Sequence, residues 1–177
     1  MTRIPYADPA PDTPAGRFLA KLPLNVARMM AHSPEQMLAF QRFGEAVLSK
    51  GALDPALREL AILRVGWRLG AVYETHHHER IGRTVGMSEA QILAARTGEA
   101  TGLAEKDRLV LACADALETT GGLPDALFAD LQRAFPHQEL VELVLATGFY
   151  GMVSRFLNAF GVEVEDGDQV RLRGVEG

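Results

Sequence analysis

The chain is almost without cysteine: Cys113 is the only one in 177 residues. An intrachain disulfide is therefore impossible, and a zinc site built on paired thiolates or a Cys-x-x-Cys redox centre has no residues to draw on. A reducing compartment, the cytoplasm by default, is the natural expectation. A basic excess is missing too. Lys and Arg number 18 against 23 Asp and Glu, for a net charge of −5, and the pI is about 5.5. Binding a phosphate backbone needs a basic patch, so nucleic acid is not an expected partner. A small anion held by one or two local arginines remains open. The longest uncharged apolar run, Leu143 to Ser154, is short of the ~20 residues that a bilayer crossing requires. The N-terminal MTRIPYADPAPDTPAG is proline-rich and has no apolar core, unlike a signal peptide. Membrane association is not expected.

What is present is a globular composition, 47% hydrophobic and 23% charged, of a length that suits one domain. Pro5, Pro9, Pro11 and Pro14 make residues 1–30 an extended N-terminal arm, free or laid over a neighbour. Ser33-Pro34-Glu35-Gln36 reads as a helix start, with Ser at the cap, Pro at the first helical position and Gln three residues on. That helix should end near Gly51. Asp54-Pro55 opens another, ending near Gly70. A third holds Val72 to Thr84, and Ser88-Glu89-Ala90-Gln91 caps a short fourth. Further helices are expected from Ala104 to about Glu118, from Pro124 to about Phe135, and over 137–160, the last a long apolar helix for a bundle core or an interface. In the tail, residues 161–177, Val162, Val164, Asp166-Gly167, Val170 and Leu172 suggest a weak β-hairpin or a frayed end. The expected fold is all-α: a bundle of about six to eight helices over residues 31–160.

Residues three and four apart share a helix face. Glu59 therefore lies with Ile62, Leu63 and Gly66 on an apolar stripe, where a carboxylate is costly to ionise unless paired. It either holds an arginine or a helix end structurally, or does chemistry. Arg64 and Arg68 share another side. In Tyr73-Glu74-Thr75-His76-His77-His78-Glu79-Arg80-Ile81, Glu74, His77 and His78 fall on the buried side with Ile81, and His76 falls with Glu79, Arg80 and Arg83 towards solvent. A Glu and a His one turn apart form an acid–base pair that can pass a proton near neutral pH. The plainer alternative is a histidine cluster satisfied inside a helix interface. Glu74-x-x-His77 has the spacing of a di-iron half-site, but the chain has no second Glu-x-x-His, and three consecutive histidines point about 100° apart. No metal and no cofactor are expected. Cys113, among Leu109, Val110 and Leu111, reads as a buried, inert thiol. Arg64, Arg68, Arg80, Arg83 and Arg155 are candidates for gripping a carboxylate, each otherwise a surface or interface charge, and Trp67 and Tyr73 could line a pocket or simply pack.

Arg58-Glu59-Leu60-Ala61-Ile62-Leu63-Arg64-Val65 and Gly70-Ala71-Val72-Tyr73-Glu74-Thr75-His76-His77-His78 resemble the carboxymuconolactone decarboxylase family, which includes the alkyl hydroperoxidase D-like proteins. The resemblance covers roughly residues 35–160 and is sharpest over 58–86. It implies an all-α fold, a homo-oligomer (trimer or hexamer) and cofactor-free chemistry on a small molecule. The peroxidase branch carries a Cys-x-x-Cys pair, a His four residues after it and an upstream Glu. Those positions fall on Ala71, Glu74, His78 and Glu59, so both thiols are missing and thiol peroxidase activity is not expected. The decarboxylase branch carries Glu and His four apart, matched by Glu74 and His78. The resemblance thus implies a lyase on a small carboxylated lactone or related aromatic-degradation intermediate. Glu59, Glu74 and His78 would be catalytic, and His77, Tyr73, Arg64 and Trp67 would contact the substrate. A hydroperoxidase-like protein without redox thiols, or a non-catalytic oligomeric binding protein, are the alternatives.

Overall fold

The structure, a computed structural model, describes residues 1–165. The helices begin where proline and short polar side chains suit their first turns. Thr13 caps α1 (Pro14–Lys21) by accepting from the Gly16 amide, and Asp54 caps α4 (Pro55–Arg68) by accepting from Ala56 and Leu57; each helix has proline in its first turn. Between them lie α2 (Asn25–Met30) and α3 (Pro34–Ser49). After α4 come α5 (Val72–Thr84), α6 (Glu89–Thr97), α7 (Glu105–Thr120), α8 (Asp125–Ala134) and α9 (His137–Phe160). The described residues contain no strand, and the all-α expectation holds.

The N-terminal arm is a correction. Only residues 1–13 precede the first helix, because Pro14 at a first helical position, behind a capping Thr13, starts a helix rather than preventing one. The α1 and α2 helices then pack on α3. At the other end, residues 162–165 carry no regular structure. The hairpin expected around Asp166-Gly167, Val170 and Leu172 lies outside the described residues.

Helix α4 is the axis of the fold, packed against α5, α6, α7 and α9. Its Leu60, Ala61 and Val65 are fully buried, which explains why its sequence is apolar on more than one side. Gly66 lets α5 approach closely: a Cβ there would meet the Thr75 methyl at 3.1 Å. Helix α9 is long and apolar enough to cross a membrane by length and composition alone, yet 56% of its apolar window is buried inside the domain. It borders both halves of the core. One half gathers Leu60, Leu63, Val110, Cys113, Leu131 and Leu143 between α4, α6, α7, α8 and α9. The other gathers Val26, Met37, Ile62, Tyr73, Tyr150 and Val153 between α2, α3, α4, α5 and α9. Val141, Leu145 and Met152 of α9 are exposed, and their spacing places them on one outer stripe.

Candidate active site

The second half of the core is hollow. A cavity of about 500 Å³ lies there, and Arg58, Tyr73, Glu74, His77, His78 and Tyr150 supply polar groups to a wall otherwise built from residues such as Phe40, Met37 and Phe149. Helix α5 brings four of these groups because its 3.6-residue repeat turns Tyr73, Glu74, His77 and His78 inward and leaves His76 exposed. Helix α4 contributes from below. Glu59 is completely buried, and each of its oxygens is engaged. Oε1 accepts from Arg58 Nε and Nη2, both at 3.1 Å, and Oε2 accepts from His78 Nδ1 at 2.6 Å. The far side of the same imidazole, Nε2, lies 3.2 Å from Glu74 Oε2.

His78 is thus clamped between two carboxylates. Burial is the largest influence on it and favours the neutral ring, but the Glu59 charge and hydrogen bond, with Glu74, outweigh it and hold the pKa up at about 10. The ring is an imidazolium at neutral pH. Arg58 balances the second carboxylate. Its guanidinium has five N–H donors; two go to Glu59, and the rest find no acceptor among the described residues. The Tyr150 ring stands edge-on to His78, centroids 4.7 Å apart. Burial pushes its hydroxyl well above the usual tyrosine range, so it stays a proton donor.

A second polar group ties two cavity-lining side chains, Tyr73 and His77, to the segment that follows α9. Tyr73 Oη donates to Glu165 Oε1 at 2.6 Å, and His77 Nε2 donates to Oε2 at 2.9 Å. The Asn25 amide donates to Oε1 at 2.6 Å. Burial works against this carboxylate's charge, but the three donors outweigh it and hold the pKa down at about 2. Tyr73 is pushed upward, first by burial and then by Glu165.

Several expectations need correction. Arg64 and Trp67 do not reach the cavity. Arg64 grips Asp115 with Nε and Nη2, at 2.7 and 3.0 Å, and the Ala95 carbonyl with Nη1. Trp67 packs in the solid half with the Arg96 guanidinium 4.8 Å above its ring. The reason is rotation: at about 100° per residue, Trp67 lies on the opposite side of α4 from Arg58. Arg80 is exposed on α5 and does not line the cavity. Glu59 has no free oxygen and no exposed surface, so it orients Arg58 and His78 and cannot touch a ligand itself. Conversely, Arg58 and Tyr150 line the cavity, and Glu165 holds two of its lining side chains, although no sequence pattern singles them out. Arg58 reads as an ordinary charge beside Glu59, and Tyr150 sits in an apolar run that reads as core. Glu165 lies in a tail whose alternation marks Val162 and Val164 but says nothing of the acid between them and the expected turn. Cys113 is buried in the other half of the core, and burial pushes its thiol up to about 12. Among the described residues, no group of three or more His, Cys, Asp or Glu is arranged to hold a metal ion.

Comparison with known proteins agrees with this picture. The carboxymuconolactone decarboxylase family profile matches residues 34–116, the stretch that holds Arg58, Glu59, Glu74 and His78. An AhpD-core, peroxidase-related protein from Ralstonia eutropha is similar at TM-score 0.78 and 19% identity, over 93% of each chain. A protein of unknown function from Agrobacterium tumefaciens is similar at TM-score 0.69 and 25% identity, over 78% of this chain and 96% of that one. A debrominase with 2,3,4-tribromopyrrole bound is similar at TM-score 0.75 and 18% identity, over 93% of this chain and 94% of that one. A comparison with curated protein sequences gives no match. Over residues 34–116 the chain matches the carboxymuconolactone decarboxylase family, and its fold is shared with AhpD-like proteins.

Proposed function

We propose that this protein is a carboxymuconolactone decarboxylase-like lyase that acts on a small carboxylated lactone, or a related unsaturated ring acid, by acid–base catalysis. The observation that carries this reading is the cationic His78 held between Glu59 and Glu74 on the wall of a largely apolar cavity, beside Arg58 with donors that meet no acceptor among the described residues. A cavity of about 500 Å³ is in the usual range for a small-molecule site.

Arg58 would receive a carboxylate on the ring, as guanidinium groups do. The C–C bond to the departing carboxyl breaks, CO₂ leaves, and the electron pair moves into the conjugated lactone carbonyl. The resulting dienolate is stabilised by donors aimed at the developing oxyanion, a role open to the Tyr150 hydroxyl. His78 then gives its proton to carbon and recovers one from solvent, with Glu74 holding the ring in place. Glu59 keeps His78 charged before each turnover. Ala71 and Glu74 stand where the peroxidase branch has its thiols, so thiol chemistry has no nucleophile at this site. We also propose the α9 stripe of Val141, Leu145 and Met152 as the face for self-association.

The test is an ultraviolet assay of the metal-stripped protein on carboxymuconolactone and related lactone acids. His78→Ala is expected to lower kcat by about 10²-fold or more, the usual worth of a positioned proton donor, and Glu74→Gln to lower it less. Full activity in both variants would overturn the reading.

A further inference from the structure

Glu165 does not belong to the helical scaffold. It lies in the irregular stretch 162–165 that leaves α9 and crosses the edge of the hollow half. Val162 and Val164 pack there against the cluster that encloses the cavity. The segment is pinned through Glu163: its carbonyl accepts from Asn25 Nδ2 at 3.0 Å, its amide donates to Tyr6 Oη at 3.2 Å, and its carboxylate pairs with the N-terminal ammonium. It then turns the Glu165 side chain inward, where only 12% of it is exposed.

The two side-chain donors that meet Glu165 are Tyr73 Oη and His77 Nε2. Both residues also line the cavity. They stand one helical turn apart on α5, with ring centroids 4.6 Å from each other, and so present two donors to the two oxygens of one carboxylate. That is a carboxylate-binding fork, and the carboxylate occupying it is supplied by the chain itself. Arg58, on the other helix, has donors that meet no acceptor among the described residues.

We propose that Tyr73 and His77 form a second carboxylate-recognition point of the cavity, which Glu165 fills in the unliganded protein and which the carboxylate of a bound small organic acid takes over when the C-terminal segment yields. The proposal rests on the reading of the cavity as an organic-acid site. It adds an internal competitor to it. A carboxylate tethered by a short segment competes at an effective concentration of roughly millimolar, so the segment sets a threshold that a weak acid must overcome.

The experiment is calorimetric titration of the full chain with benzoate, a small ring carboxylate that undergoes no reaction, and with benzamide as its uncharged counterpart. Glu165→Ala is expected to bind benzoate about tenfold more tightly than the unmodified chain, with benzamide unchanged. Tyr73→Phe added to Glu165→Ala is expected to remove the gain. Glu165→Gln, which keeps an acceptor for Tyr73 and the Asn25 amide, guards against a variant that loses the fold and is expected to show a smaller gain in the same direction. Equal benzoate affinity in the unmodified chain and in a folded Glu165→Ala or Glu165→Gln protein would overturn the proposal. So would a gain shared by benzamide, or one that survives Tyr73→Phe, because each would mean only that the cavity had been opened. Arg58→Gln separates this result from the underlying reading. Unchanged benzoate affinity in that variant counts against the organic-acid site, whereas the response to Glu165→Ala reports on the fork alone.

Discussion

Arg58 and Arg64 stand six residues apart on the same helix, and the two halves of the molecule treat them differently. On the solid side, Arg64 spends its donors on both oxygens of Asp115 and on a main-chain carbonyl. Three of its five N–H donors are engaged there, and the group does not reach the cavity. On the hollow side, Arg58 meets a single oxygen of Glu59, whose other oxygen holds His78. Packing explains the contrast. The solid half fills its space with leucine, valine and alanine from five helices. The hollow half is roofed by the short helices α1 and α2 with α3, and leaves a space of about 500 Å³. Burying an ion pair costs desolvation that its own attraction barely repays. The solid side keeps its pair near the rim, with Asp115 34% exposed. The hollow side buries Glu59 entirely and offsets the cost with two cations.

Breaking that central carboxylate should give the largest structural effect. Glu59→Gln leaves Arg58 and His78 buried without their counter-charge, and should lower stability by about 3 kcal/mol, measured by urea denaturation. Asp115→Asn on the solid side leaves a neutral acceptor in place at a partly exposed position and should cost about 1 kcal/mol, without changing ligand affinity in the cavity. Equal losses from the two variants would erase the distinction between the halves.

The pH dependence of stability sharpens the same comparison. His78 has a folded-state pKa of about 10, above the ordinary histidine value of 6.5. The folded state therefore binds its proton more tightly than the unfolded chain does. The stability this contributes is fully present below pH 6.5 and is lost as pH rises through about 10. The stability difference between the unmodified protein and His78→Gln should shrink across that window. A difference that grows with pH would contradict the assignment. The smallest effect is on the solid side, where Cys113 is fully buried with its thiol held up at about 12. A thiol-reactive dye at pH 8 should label it only as fast as the protein unfolds; rapid labelling of the native chain would show that this half is not closed.

The two halves also differ in how legible they are in the sequence. Helix starts announce themselves through Asp54-Pro55 and Ser88-Glu89-Ala90-Gln91, because capping is local chemistry. The inward set on α5, with His76 outside, follows from helical period alone. Arg64 and Trp67 mislead because α4 is buried on several sides, so its period does not say which buried face meets a cavity and which meets solid packing. The N-terminal helices are hidden by prolines that also suit extended chain. Glu165 is illegible for a different reason: its side-chain partners lie 92 and 88 residues away in sequence, and no local pattern marks a contact of that kind.

The central claim is that His78 is a proton-charged group held ready between Glu59 and Glu74. Nitrogen-15 NMR of the histidine rings at pH 8 tests it most directly. His78 is expected to carry protons on both Nδ1 and Nε2 at that pH, and Glu59→Gln is expected to return it to a single-proton ring. A neutral His78 ring at pH 8 in the unmodified protein would contradict the claim.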